Sequence, residues 1–205
     1  MNLLIATTNP GKIKEFREML GHAEVSFSDL AGNANAEEAP EETGHTFRAN
    51  ACLKASHYAK LLNTYAVADD SGLEVDALQG GPGVFSARWA AMHGAGSGDQ
   101  ANNTLLLKQI DHIADHERRG RFVCVLALAD PSGRILLTTR ETVEGQVLRA
   151  PRGSHGFGYD PLFAPDEAPG KTTAELMPAE KHQISHRGKA LRRLREMMSS
   201  VGIGV

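Results

Sequence analysis

The sequence predicts a mixed α/β fold, on three observations. Short apolar runs alternate with amphipathic helical patterns early in the chain, a strand-rich stretch follows, and an amphipathic helix closes it. Residues 3–6 read as a short buried strand that runs into Thr7-Thr8-Asn9-Pro10-Gly11-Lys12 and then a helix. Asn9 is a good N-cap and Pro10 suits the first helical position. Ile13, Phe16 and Leu20 share one face of that helix. Residues 36–44 are acidic and loop-like. A second helix over 46–62 carries the stripe Phe47, Ala51, Ala55, Tyr58 and Leu62, and Lys54 falls on that same apolar stripe. Residues 65–68 form a second buried strand that ends at Asp69-Asp70-Ser71-Gly72.

Alternation at Leu73, Val75 and Ala77 predicts a further strand, and Gly80-Gly81-Pro82-Gly83 a turn. Residues 102–110 read as a helix. Residues 121–129 and 134–139 read as a hairpin closed at Asp130-Pro131-Ser132-Gly133. The last helix starts near Ser185 with Leu191, Leu194 and Met198 on one face. Repeats, low-complexity tracts and long linkers are absent, so the 205 residues are read as one domain, of a size that divides into two lobes.

An apolar content of 41% with 23% charged residues is that of an ordinary globular chain. A net charge of -3 without a basic stripe argues against a nucleic-acid partner. No run approaches the roughly 20 apolar residues of a membrane span, and the first residues lack a basic leader, so a cytoplasmic location is expected. Cys52 and Cys124 lie in apolar segments without C-x-x-C spacing, which fits buried thiols better than a disulfide or a metal site.

Four segments carry chemistry. At Thr7 to Lys12 a helix start presents N–H groups and a positive dipole end, Gly11 allows close backbone approach, and Lys12 adds charge, the ingredients of a phosphate site. The Walker A spacing is absent, and taken alone the segment also fits a capped turn with a solvated lysine. Asp69 and Asp70 stand at a strand end, where open α/β sheets place ligands. Successive strand side chains face opposite ways, so at most one of them points into a given site. Glu41 and Glu42 form a second acidic pair, and one acid from each pair satisfies Mg²⁺, which takes one or two carboxylates plus phosphate oxygens. Helix capping is the plainer use of such acids. Glycines flank Phe157 and Tyr159 in the loop Gly153 to Pro161, an arrangement that lays rings against a planar ligand and leaves Asp160 for a base edge. A glycine turn with core aromatics fits the same pattern. His186 and Arg187 follow Ser185 in a first helical turn, where positive charge opposes the dipole and suits an anionic or carbonyl-bearing ligand.

Their joint occurrence is specific. T-x-N-x-G-K, E-E-T-G-x-T-F, A-D-D-S-G-L-E-V-D-A-L, G-G-P-G-V-F-S-A-R, G-F-G-Y-D-P-L-F and S-H-R-G-K-A-L, in this order, resemble the inosine/xanthosine triphosphate pyrophosphatase family over residues 4–194. Trp89 stands after Ser86-Ala87-Arg88 where tyrosine is often found. The resemblance implies an elongated mixed sheet with flanking helices, two lobes around a central nucleotide cleft, and a homodimer. It implies Mg²⁺-dependent hydrolysis between the α- and β-phosphates of inosine, deoxyinosine and xanthosine triphosphates, clearing deaminated purines before they enter DNA or RNA. By the same resemblance Thr7, Thr8, Asn9, Pro10, Gly11 and Lys12 hold the triphosphate, Glu41 and Asp70 the metal, and Asp70 accepts the proton of the attacking water. Ser71 and Lys54 contact substrate, while Phe157, Gly158, Tyr159, Asp160, Lys181, His186 and Arg187 form the base pocket. The residues do not rank the three substrates or reveal what excludes guanine.

Overall fold

Leu3, Leu4 and Ile5 are each 1% exposed, and an apolar run this short is buried on both faces only inside a sheet. The computed structural model, which describes residues 2–20, 26–30 and 40–200, places them in such a position. Its strands are β1 (Asn2–Ile5), β2 (Ser26–Asp29), β3 (Tyr65–Val75), β4 (Arg119–Ala129), β5 (Ile135–Val147) and β6 (Phe163–Pro165). Its α-helices are α1 (Pro10–Leu20), α2 (Phe47–Leu62), α3 (Trp89–Met92), α4 (Asp99–Gln109), α5 (Pro178–Ile184) and α6 (His186–Ser200). The strands form one mixed sheet in the order β2-β1-β3-β4-β5-β6. β1 runs parallel to both neighbours, and β6 antiparallel to β5. The 130–134 turn, closed by Asp130 N on Arg134 O at 3.0 Å, makes the predicted β4–β5 hairpin. No helix among the described residues is long and apolar enough to cross a membrane.

The chain divides into two compact units. The first comprises Met1–Asp70, Cys124–Glu141 and Arg187–Val205, the second Ser71–Val123 and Thr142–His186. The first unit packs Leu3, Ile5, Phe16, Val67, Leu126 and Leu128 with Leu191, Leu194 and Met198 of α6. The second packs Leu73, Val75, Leu106, Ile110, Phe122, Tyr159 and Phe163.

Local chemistry sets the helix starts. Asn9 Oδ1 accepts from Lys12 N at 3.0 Å, and Ile13 N makes the first α1 bond to Asn9 O, with Pro10 at the first helical position as expected. Thr46 caps α2 by accepting from Ala49 N at 3.1 Å. Asn63 ends α2 in the left-handed region at φ 47°.

One expectation is overturned. The strand at Tyr65 does not end at Asp69; β3 runs unbroken for 11 residues through Val75, so both aspartates sit in mid-strand. The Asp-Asp-Ser-Gly run looks like chain punctuation, but its acids are buried by ion pairs, and Gly72 serves close approach rather than a turn. A Cβ there would collide with Ser86 Oγ, the hydroxyl that accepts from Leu73 N at 2.9 Å. Ala77 accordingly falls in a 3₁₀ turn, Asp76–Leu78, past the strand. α4 begins three residues earlier than its periodicity indicates, β5 extends to Val147, and β2, β6 and the short α5 lack a legible signal. Of the acidic loop over 36–44, residues 36–39 lie outside the described residues. Thr46→Ala is expected to lower stability by about 1 kcal/mol through loss of the α2 cap, read from the urea unfolding midpoint.

Candidate active site

In the first unit Asp70 is 6% exposed and faces α2. Lys54 and Asn50, one helical turn apart, take one oxygen each: Lys54 Nζ lies 3.0 Å from Oδ1 and Asn50 Nδ2 lies 3.3 Å from Oδ2. Lys54 Nζ also reaches Glu42 Oε1 at 2.7 Å. The charge that broke the apolar stripe is thus an ammonium shared between two carboxylates. Asn50, fully buried, returns its own oxygen to Gly44 N at 2.8 Å and so ties the acidic loop to the same cluster. Burial pushes the Asp70 carboxyl above its ordinary value, against the opposing pull of Lys54 and Lys12, and Glu42 adds to the rise. For Lys54, burial works downward, yet Asp70 and Glu42 outweigh it and raise the ammonium.

Asp69 projects the other way, as strand alternation requires, and is 1% exposed. Its Oδ1 pairs with Lys12, and its Oδ2 accepts from Arg187 Nε at 2.9 Å and from the thiol of Cys124 at 3.1 Å. Arg187 Nη1 pairs with Glu15 of α1. Burial alone would raise Asp69, but Arg187 and Lys12 outweigh it and hold its carboxyl well below the usual range. Lys12, at the start of α1, is therefore aimed by a carboxylate that stays charged. Thr7 accepts from Asn9 N at 3.2 Å in the turn before it, while Thr8 and Pro10 are exposed.

In the second unit the glycine loop is built around Asp160, 3% exposed, whose Oδ2 accepts from Phe157 N at 2.8 Å and Lys181 Nζ at 2.7 Å. Gly156 holds φ 79°, and a Cβ there would run into that same oxygen. Lys181 Nζ lies 5.1 Å over the half-buried Phe157 ring, a cation–π contact that orients it. Gly158 N donates to Asp99 Oδ2 at 2.6 Å, and Tyr159 is buried with its hydroxyl on Ser86 O at 3.0 Å. The His186 ring stacks on Phe122 with centroids 4.8 Å apart and planes 13° apart. Ser71 is half-buried on β3.

The structure therefore gathers Lys12, Lys54 and Asp70 in the first unit, and Phe157, Gly158, Asp160 and Lys181 in the second. Arg187 joins the first-unit ion pairs, with its guanidinium on carboxylates. Glu41 is exposed, and its neighbour Glu42 makes the ion pair with Lys54. Glu42, Asn50, Glu15 and Phe122 are participants that the motifs did not single out. Only Glu42 carried a signal, as half of the acidic pair. Among the described residues no three His, Cys, Asp or Glu side chains are grouped so as to hold a metal ion, and around Lys54 the carboxylates are a pair, Glu42 and Asp70. Such a pair of hard oxygen donors suits Mg²⁺, which completes its shell with water and phosphate.

Removing Arg187 takes from the buried Asp69 and Glu15 the guanidinium that they share. Arg187→Met is expected to cost about 3–5 kcal/mol in urea unfolding. A variant of unaltered stability that lost only base selectivity would place Arg187 against the base instead.

The Ham1 family model matches residues 3–197. A dITP/XTP pyrophosphatase of an Exiguobacterium species is 50% identical over 194 residues, 95% of each chain. One from Bacillus subtilis is 45% identical over 197 residues, 96% of each. The solved structure of a HAM1 protein from Coxiella burnetii superposes with a TM-score of 0.84 at 38% identity, covering 98% of this chain and 99% of that one. With the family model matched over residues 3–197 and the fold shared with a solved member at 38% identity, this chain belongs to the Ham1 family.

Proposed function

We propose that this chain is a cytoplasmic, homodimeric nucleoside triphosphate pyrophosphatase that hydrolyses inosine, deoxyinosine and xanthosine triphosphates to the monophosphate and pyrophosphate, with Mg²⁺. The observation that carries the reading is the buried Asp70, sharing a cation with Glu42 beside a lysine-bearing helix start. The dITP/XTP pyrophosphatase activity for which its relatives are named supports the same reaction.

Thr7 to Lys12 bind the triphosphate through the N–H groups at the start of α1 and the Lys12 ammonium. Asp69 and Arg187 keep that ammonium in place. Asp70 orients a water and accepts its proton as the water oxygen attacks the α-phosphorus; the bond to the bridging oxygen breaks and pyrophosphate leaves. The raised Asp70 carboxyl is a stronger base than a solvated one. Asp70 with an acid of the Glu41–Glu42 pair would hold Mg²⁺, which would supply positive charge to the phosphate oxygens. Lys54 and Ser71 complete the phosphate contacts.

Phe157, set by Lys181 and Asp160, is the platform for the base, with Gly158 and Tyr159 shaping the loop. His186 donates to the C6 oxygen that hypoxanthine and xanthine carry. Adenine presents an amino donor there, and a buried donor facing a donor is rejected strongly.

Pyrophosphate release by the purified protein tests this, with Mg²⁺ and with chelator, across ITP, dITP, XTP, GTP, ATP and dTTP. Strong Mg²⁺-dependent release from the first three alone is expected. Release from dTTP instead would keep the chemistry and overturn the base pocket. Asp70→Asn is expected to lower turnover about 10²–10⁴-fold at saturating Mg²⁺, as loss of a general base does. Comparing Glu41→Gln with Glu42→Gln assigns the second metal carboxylate, since only the ligand's loss raises the Mg²⁺ concentration needed for half-maximal rate.

A further inference from the structure

The Lys54 ammonium sits between two carboxylates, where the metal-dependent reading above would seat the ion. It lies 2.7 Å from Glu42 Oε1 and 3.0 Å from Asp70 Oδ1, with a side chain 14% exposed, and Asn50 holds the other Asp70 oxygen. Two carboxylates facing each other across a partly buried site repel unless a cation sits between them, and the protein provides that cation itself. A metal ion approaching Asp70 Oδ1 therefore meets the Lys54 ammonium, a like charge, at the same oxygen.

We infer that Lys54 is an exchangeable counter-ion: it neutralises the Glu42–Asp70 pair in the nucleotide-free enzyme, is displaced by the divalent cation, and is thereby released to the substrate phosphates. This rests on the metal-dependent reading above and adds an order to it. The lysine is a positioning residue before the metal binds and a phosphate ligand afterwards. Its backbone is held on α2, whose start is fixed by the Thr46 cap and by the bond of Asn50 to Gly44 N. The exchange avoids the cost of a bare acid pair, because one cation replaces another.

The exchange predicts that the lysine and the metal compete. Mn²⁺ binding to the nucleotide-free chain is read by electron paramagnetic resonance at pH 8 for the natural protein, Lys54→Met and Lys54→Arg. Lys54→Met is expected to bind Mn²⁺ roughly tenfold or more tightly, given the Coulomb scale for unit charges about 4 Å apart, while its affinity for inorganic triphosphate falls. Lys54→Arg stays near the natural value. A Lys54→Met chain that binds Mn²⁺ equally or more weakly overturns the exchange and leaves the metal reading standing. Mn²⁺ bound by neither chain removes both. The natural protein supplies a second readout that needs no variant to fold. Acetylation of Lys54 by acetic anhydride, followed by mass spectrometry, is expected to speed up several-fold when Mg²⁺ is added without nucleotide, relative to the exposed Lys14. A Lys54 rate that Mg²⁺ leaves unchanged or slows sinks the proposal.

Discussion

Two adjacent carboxylates in the middle of a buried strand are the constraint on which the first unit depends. Taking a charge out of water costs several kcal/mol per ion unless a partner and hydrogen bonds offset it. Neither Asp69 nor Asp70 has a cationic neighbour in its own strand, so the compensation arrives from three helices. α1 brings Lys12, α2 brings Lys54, and α6 brings Arg187, which returns to α1 through Glu15. Because strand side chains alternate, the two acids divide these partners between them rather than compete. The same pairings that make the burial tolerable set the direction of each cation.

Where function required local geometry, the sequence was legible. The Asn9-Pro10 start, the Thr46 cap and the apolar stripe of α2 are short-range facts, and each appears where periodicity and capping place it. Lys54 was conspicuous because a charge on an apolar stripe demands a partner, and the structure supplies two. What escaped is long-range or depends on side-chain direction. Arg187 and Glu15 are 172 residues apart, so nothing near either residue announces the pairing. Glu41 and Glu42 are identical by composition, and only the backbone path decides which one turns to Lys54. The Asp-Asp-Ser-Gly run looked like a strand end because polar residues and glycine usually mark one. Here ion pairs bury the acids and a neighbouring hydroxyl fills the space beside Gly72.

The second unit solves a different problem, holding an aromatic platform steady on a glycine-rich loop. Glycines give the backbone its turns but no rigidity, and the loop gains order from Asp160, which is buried, bonded to the loop at Phe157 N and locked by Lys181. Lys181 then meets the Phe157 ring, so one buried ion pair fixes both the backbone and the ring it carries. Gly158 is held from α4 at both its N–H and its carbonyl, by Asp99 and Asn103. On the base-pocket reading proposed above, a ring ordered in advance would not spend binding energy on its own ordering, which is the condition for small differences at a base edge to be read as differences in rate.

Shared cations tie the acid cluster together. Lys54 pairs with both Glu42 and Asp70, Arg187 with both Asp69 and Glu15, and Lys12 with Asp69. Each shared cation answers the mutual repulsion of the carboxylates it joins as well as the cost of their burial. On the metal-dependent reading proposed above, a divalent ion would bring the Glu42–Asp70 pair more positive charge than the lysine does, and would so favour the approach of a triphosphate. An extra lysine would add charge of the same sign but would also be one more flexible group to order and to desolvate.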